Sequence, residues 1–154
     1  MASHGELKDW GRRFIRDVLN CHDLAQIDRY IATDIHLHDT IANLPNGLEG
    51  IKSQFTELWT AFPDIHAHVD LEIAEDPMLV IKVTQRGTHT GDFRGLEPSG
   101  NSFVYQEVHI VKVIDEKAVE YWGVINSAHL MQQIGAIPGH LPRPVHRDLE
   151  DVKS

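Results

Sequence analysis

The chain has 154 residues, 42% hydrophobic and 24% charged, which fits one globular domain able to bury a real core. Its formal charge of −9 argues against nucleic acid and anionic membrane surfaces as partners, and no apolar run nears the ~20 residues that a membrane-spanning helix needs. The lone cysteine, Cys21, excludes an intramolecular disulfide, and the charged N-terminus lacks an apolar signal core, so the expected location is cytoplasmic.

In chain order, Leu7, Trp10, Phe14, Val18 and Leu19 recur at helical spacing and predict a helix over 6–20. Asp23 is placed to cap a second, short helix over 23–31. The stretch 34–39 alternates like a strand, with His36 and His38 on one side, and 40–47 reads as a loop turning at Pro45-Asn46-Gly47. Leu48, Ile51, Phe55, Leu58, Trp59 and Phe62 form one apolar stripe, so 48–62 is a helix that Pro63 stops. Val69, Leu71 and Ile73 then alternate with His68, Asp70 and Glu72, giving a strand over 65–74. A turn at 75–77 leads into a strand over 78–90, followed by a glycine- and proline-rich loop over 92–100.

The next segment, 101–135, is a hairpin followed by a short helix over 128–134. Its first strand, 102–114, sets Tyr105, Glu107, His109 and Val111 on one face and Val104, Gln106, Val108 and Ile110 on the other. The returning strand, 117–126, divides Glu120, Trp122, Val124 and Asn126 from Val119, Tyr121 and Ile125. A carboxylate two residues from an imidazole on the same face fixes its tautomer and raises its basicity, so Glu107 and His109 are the leading acid–base candidates. Asn126 either caps the following helix or donates a hydrogen bond to an oxyanion. The apolar backs of the two strands, Val104, Val108, Ile110, Val119 and Ile125, predict a homodimer. Helices first and hairpins after argue an α+β fold over 1–138, with 139–154 a polar, proline-interrupted tail.

Three blocks carry a resemblance: GLEGIKSQFTELWTAFPDIHAHV, TQRGTHTGDFRGLEPSG and EVHIVKVIDEKAVEYWGVINSAHLMQQIGAIP. They are similar to the SnoaL-like polyketide cyclases, within the nuclear-transport-factor-2-like superfamily, over roughly 7–138. The resemblance implies a cone-shaped curved antiparallel sheet wrapped around three helices of the N-terminal half, enclosing an apolar cavity. It implies intramolecular aldol ring closure of a hydrophobic carbonyl compound, with no cofactor. His109 would then be the base, Glu107 or His38 would orient or assist it, and Asn126 would hold the oxyanion. Where the family carries an acid–base Asp, this chain has Asn126, an amide that exchanges no proton near neutral pH. His38 and Asp39 resemble the His-Asp that ends the family's first strand. With His36, Phe55, Trp59, His89, Tyr105 and Trp122, Asp39 is expected around the substrate.

Two other readings stand beside this one. The same fold supports isomerisation, hydroxylation or epoxide opening, the last needing a set such as Asp70, Glu72 and Arg86 to converge. Alternatively, a chain without the family Asp is a non-catalytic ligand-binding dimer. His36-x-His38 and His66-x-His68 are same-face pairs of the kind that chelate metals, but no third ligand at metal-site spacing accompanies them, and no metal is expected. No phosphate loop or dinucleotide fingerprint is present, so no nucleotide cofactor is expected either.

Overall fold

The computed structural model of the protein describes residues 2–38 and 45–138; Asp39, most of the predicted 40–47 loop and the 139–154 tail lie outside them. Helix α1, His4–Phe14, starts with a reciprocal cap. The Ser3 hydroxyl accepts from the Glu6 amide at 3.1 Å, and the Glu6 carboxylate accepts from the Ser3 amide at 2.6 Å. The helix runs on as a π-helical turn, Ile15–Asn20, so the expected 6–20 helix is continuous but widened in its second half. Leu7, Trp10, Ile15, Val18 and Leu19 are buried along its inner side. Gly11 is what lets α1 lie so close to the sheet, because a Cβ there would stand 2.6 Å from Ile81 Cδ1 and 2.9 Å from Leu79 Cδ2.

Asp23 caps a short 3₁₀ helix, Leu24–Arg29, as its side chain accepts from the Ala25 amide at 3.0 Å. That helix ends sooner than expected, and the first strand, β1, starts earlier, spanning Ile31–Leu37. Helix α2, Leu48–Ala61, and α3, Ser127–Gln133, match the predicted stripes. The remaining strands are β2 His66–Glu75, β3 Met78–Thr88, β4 Ser102–Ile114 and β5 Lys117–Ile125.

These strands form one sheet in the order β1-β5-β4-β3-β2. The fold is α+β as expected, with one correction: β1 joins β5 in parallel, so the sheet is mixed rather than wholly antiparallel. Local alternation reveals that a segment is extended. Its direction in the sheet depends on a partner more than 80 residues away, with Ile31 lying beside Ala118.

The inner face of the sheet carries two apolar clusters. One joins Leu79, Ile81, Val83, Val111 and Val113 to α1 and to β1. The other gathers Phe62, Phe93, Phe103, Tyr105, Leu130 and Ile134 toward the opposite end of β4. Helix α3 is clamped there: the Gln133 side chain accepts from the Val104 amide at 2.9 Å and donates to its carbonyl at 2.8 Å.

The β4–β5 hairpin turns through Asp115 and Glu116, both at positive φ (49° and 62°), the geometry that matches strand twist in a two-residue connection. Val113 pairs with Ala118, but the next rung is Lys112 with Glu120, which leaves Val119 as an inserted residue. An insertion of one residue exchanges the faces of everything beyond it. From this bulge onward Tyr121 and Gly123 face inward beside Val111 and His109, while Trp122 and Val124 face outward beside Ile110 and Val108. Apart from Val119 the two alternating sets of β5 stand as expected, but the set with Trp122, expected around the substrate, faces outward.

The close approach at Gly11 gives a direct test. Gly11→Val should push α1 off Leu79 and Ile81 and lower stability by about 1–3 kcal/mol, read from urea unfolding midpoints.

Candidate active site

The inner face of β4 runs Tyr105, Glu107, His109, Val111, and the two middle residues are its polar break. Glu107 is only 6% exposed. Its Oε2 lies 2.7 Å from His109 Nε2, and His109 Nδ1 lies 2.6 Å from the Tyr121 hydroxyl. With Nε2–H donated to the carboxylate, Nδ1 holds a lone pair and accepts the Tyr121 hydrogen. The side chains of Tyr105 and of the buried Gln85, on β3, also bond to Glu107.

Electrostatics fix the charge state of this network. Burial pushes the Glu107 carboxyl up, but the His109 bond and charge, with the bonds from Tyr105 and Gln85, outweigh it and hold the group below the ordinary carboxylate range. Glu107 is therefore ionised at neutral pH. Burial, and after it the Glu107 charge, pushes the phenols of Tyr121 and Tyr105 far above the ordinary range, so both stay protonated.

Tyr121 was missed by the sequence reading, which set it on the opposite face. The usable signal was the glycine two residues on. A Cβ at Gly123 would lie 2.9 Å from Tyr121 Cζ, so the ring occupies the space a side chain would take and reaches two rungs along to His109.

The other expected site residues separate into distinct places. Asn126 is exposed and caps α3, its side chain accepting from the His129 amide at 3.3 Å. His38 does not assist His109: it lies on the outer face, where Nε2 meets Glu120 Oε1 at 2.8 Å and its ring stacks on Trp122 at 4.4 Å. His36 is beside it, ring to ring at 4.3 Å. His36, His38 and Trp122 thus form an outer cluster, because the bulge turned β5 over and β1 follows its register. Tyr105 is in place beneath Glu107. Phe55 and Trp59 lie half-buried on α2 in a stack that continues to His22. His89 is fully buried, but its Nδ1 accepts from the Ser99 amide at 3.1 Å, which makes it a loop anchor.

The epoxide-opening set does not converge. Asp70 faces outward to Lys82 at 2.8 Å and Thr84 at 2.7 Å, and those two bonds hold its carboxyl far below the usual range. Glu72 turns inward to Arg12 at 2.7 Å, and Arg86 is exposed. Among the described residues no three His, Cys, Asp or Glu side chains cluster as metal ligands, and no helix is long and apolar enough to cross a membrane.

A family model for SnoaL-like polyketide cyclases matches residues 11–134. The chain belongs to that family. This SnoaL-like protein is similar in structure to AclR, a candidate hydroxylase from Streptomyces galilaeus, at 26% identity and a TM-score of 0.77 over 92% of this chain and 87% of that one. It is also similar to IdmH, a candidate polyketide cyclase from Streptomyces antibioticus, at 25% identity and a TM-score of 0.73, covering 84% and 99% of the two chains. A SnoaL-like protein from Jannaschia sp. CCS1 shares the fold at 19% identity and a TM-score of 0.77, over 90% and 99%. No curated protein matches the chain.

The depressed Glu107 carboxyl makes a pH prediction. A carboxyl held below its unfolded value of about 4.3 contributes stability above that pH and loses it as pH falls through the lower folded value. Wild-type protein should exceed Glu107→Gln by ~1–3 kcal/mol near neutrality, and the gap should shrink below about pH 4. Denaturant titrations across that range measure it.

Proposed function

We propose that the protein is a cofactor-independent acid–base enzyme that closes a ring on a hydrophobic, polyketide-like carbonyl compound. The observation that carries this reading is the Glu107–His109 pair, a carboxylate and an imidazole 2.7 Å apart on the inner face of an apolar cone. Intramolecular aldol closure needs a base to take a proton from the carbon beside a carbonyl. The resulting enolate attacks a second carbonyl, one carbon–carbon bond forms, and the proton returns to the new alkoxide. His109 holds the proton in the interval, and the ionised Glu107 stabilises the imidazolium. The surrounding apolar clusters exclude water that would otherwise quench the enolate. Family membership and the likeness to the candidate cyclase IdmH support ring closure as the reaction.

Turnover of aromatic polyketide esters is the test. His109→Gln keeps a donor toward Glu107 and should lower the rate by about 10²-fold or more with folding retained. Asn126→Asp should change neither rate nor stability by much, because an aspartate caps a helix as well as an asparagine does.

A homodimer through the outer sheet face belongs to the same proposal. One outward row runs Ile73, Val80, Ile110, Trp122 across four strands, and the next runs Leu71, Lys82, Val108, Val124. Ile73 is 62% exposed and Val124 66%, leaving an apolar surface of a breadth that isolated proteins rarely present to water. The expected dimer residues are corrected in part: Val104, Val108 and Ile110 are on this face, whereas Val119 sits in the bulge and Ile125 on the inner side. Light scattering should give a dimer mass for the wild type and a monomer mass for Val124→Glu.

A further inference from the structure

Resting on the acid–base reading above, we infer that His109 reaches its substrate through Tyr121, so that the phenol oxygen is the atom that takes the proton. Both imidazole nitrogens are already engaged. Nε2 faces Glu107 at 2.7 Å and Nδ1 faces the Tyr121 hydroxyl at 2.6 Å, which leaves no ring nitrogen free for a substrate. The Tyr121 oxygen gives its one hydrogen to Nδ1 and keeps lone pairs for a further partner.

This end of the relay is built rather than incidental. Tyr121 sits on the rung of Val111, two rungs away from that of His109, and reaches the imidazole by lying across Gly123. The missing Cβ leaves room for ring atoms that would otherwise stand 2.9 Å (Cζ) and 3.1 Å (Cε1) from it. Gly123 is thus a positioning residue for Tyr121, directly opposite His109 in the ladder.

The step balances without an external reagent. The substrate carbon–hydrogen bond breaks as a new O–H forms at Tyr121, while the original Tyr121 O–H breaks and Nδ1–H forms on His109. Tyr121 stays neutral throughout, as suits a buried phenol near the Glu107 charge, and the imidazolium is left paired with that carboxylate. After ring closure Tyr121 hands its proton to the alkoxide and recovers one from Nδ1. Nothing is consumed.

Hydrogen exchange at the carbon beside the carbonyl reads the first step alone. Wild type, Tyr121→Phe, Gly123→Ala, the double variant and His109→Gln would each be incubated with aromatic polyketide esters in deuterated water and followed by proton NMR. Nitrogen-15 shifts of the His109 ring would be recorded on the free proteins. Tyr121→Phe, which preserves ring volume, should slow exchange by about 10²-fold. Gly123→Ala should slow it comparably, and the double variant no further, because both changes remove one contact. In Tyr121→Phe and in Gly123→Ala the Nδ1 resonance should move toward that of an unbonded nitrogen. Exchange near the wild-type rate in Tyr121→Phe, with loss in His109→Gln, would overturn the relay and leave the acid–base reading standing. Undiminished exchange in both, or none in the wild type, would sink that reading and the relay together. An Nδ1 shift unchanged by Tyr121→Phe would overturn the relay whatever the exchange rates.

Discussion

A carboxylate in an apolar interior is the constraint around which the inner face is arranged. An isolated buried charge is prohibitively unfavourable, so Glu107 must either be protonated or be surrounded by donors. Here His109, Tyr105 and Gln85 supply donors from two adjacent strands. Their positions in the ladder follow from that need: Tyr105 and His109 flank Glu107 on β4, and Gln85 sits across from Tyr105 on β3. The ionised carboxylate then imposes its own order on the rest. It fixes the His109 tautomer, directs Nδ1 at Tyr121, and disfavours a second negative charge on either phenol.

The place of Tyr121 in this network depends on a defect in the hairpin. The ladder is regular as far as Val113–Ala118, and the inserted Val119 then shifts every later rung. Without it the residue opposite His109 would be Trp122, and a large indole would stand where the Tyr121 ring now lies across Gly123. Bulge and glycine act together. One turns Tyr121 inward and the other lets its ring travel along the strand to the imidazole.

The same insertion composes the outer face. Glu120 and Trp122 are exported to the side of His36 and His38, where a stacked histidine–tryptophan pair and a 2.8 Å contact to Glu120 border the apolar rows. The sheet therefore keeps the Glu107–His109–Tyr121 network and its apolar outer rows on opposite sides. Asp70 and Glu72 obey the same division on β2, the former tied to Lys82 outside and the latter to Arg12 within.

Sequence alone determined a good deal. The apolar stripes of α1 and α2, the strand at 102–114 and the adjacency of Glu107 and His109 all follow from periods of 3.6 and 2.0, which local chemistry sets. A cap was one of the two roles the sequence left open for Asn126, because a cap is a local feature too. The tertiary structure decided which side of β5 faces in, that β1 runs parallel to it, and hence that Tyr121 joins the site while His38 and Trp122 leave it. The reason is physical. A strand's period of two fixes which residues share a face but not which face it is, and a single inserted residue, chosen by packing across the whole sheet, inverts the answer.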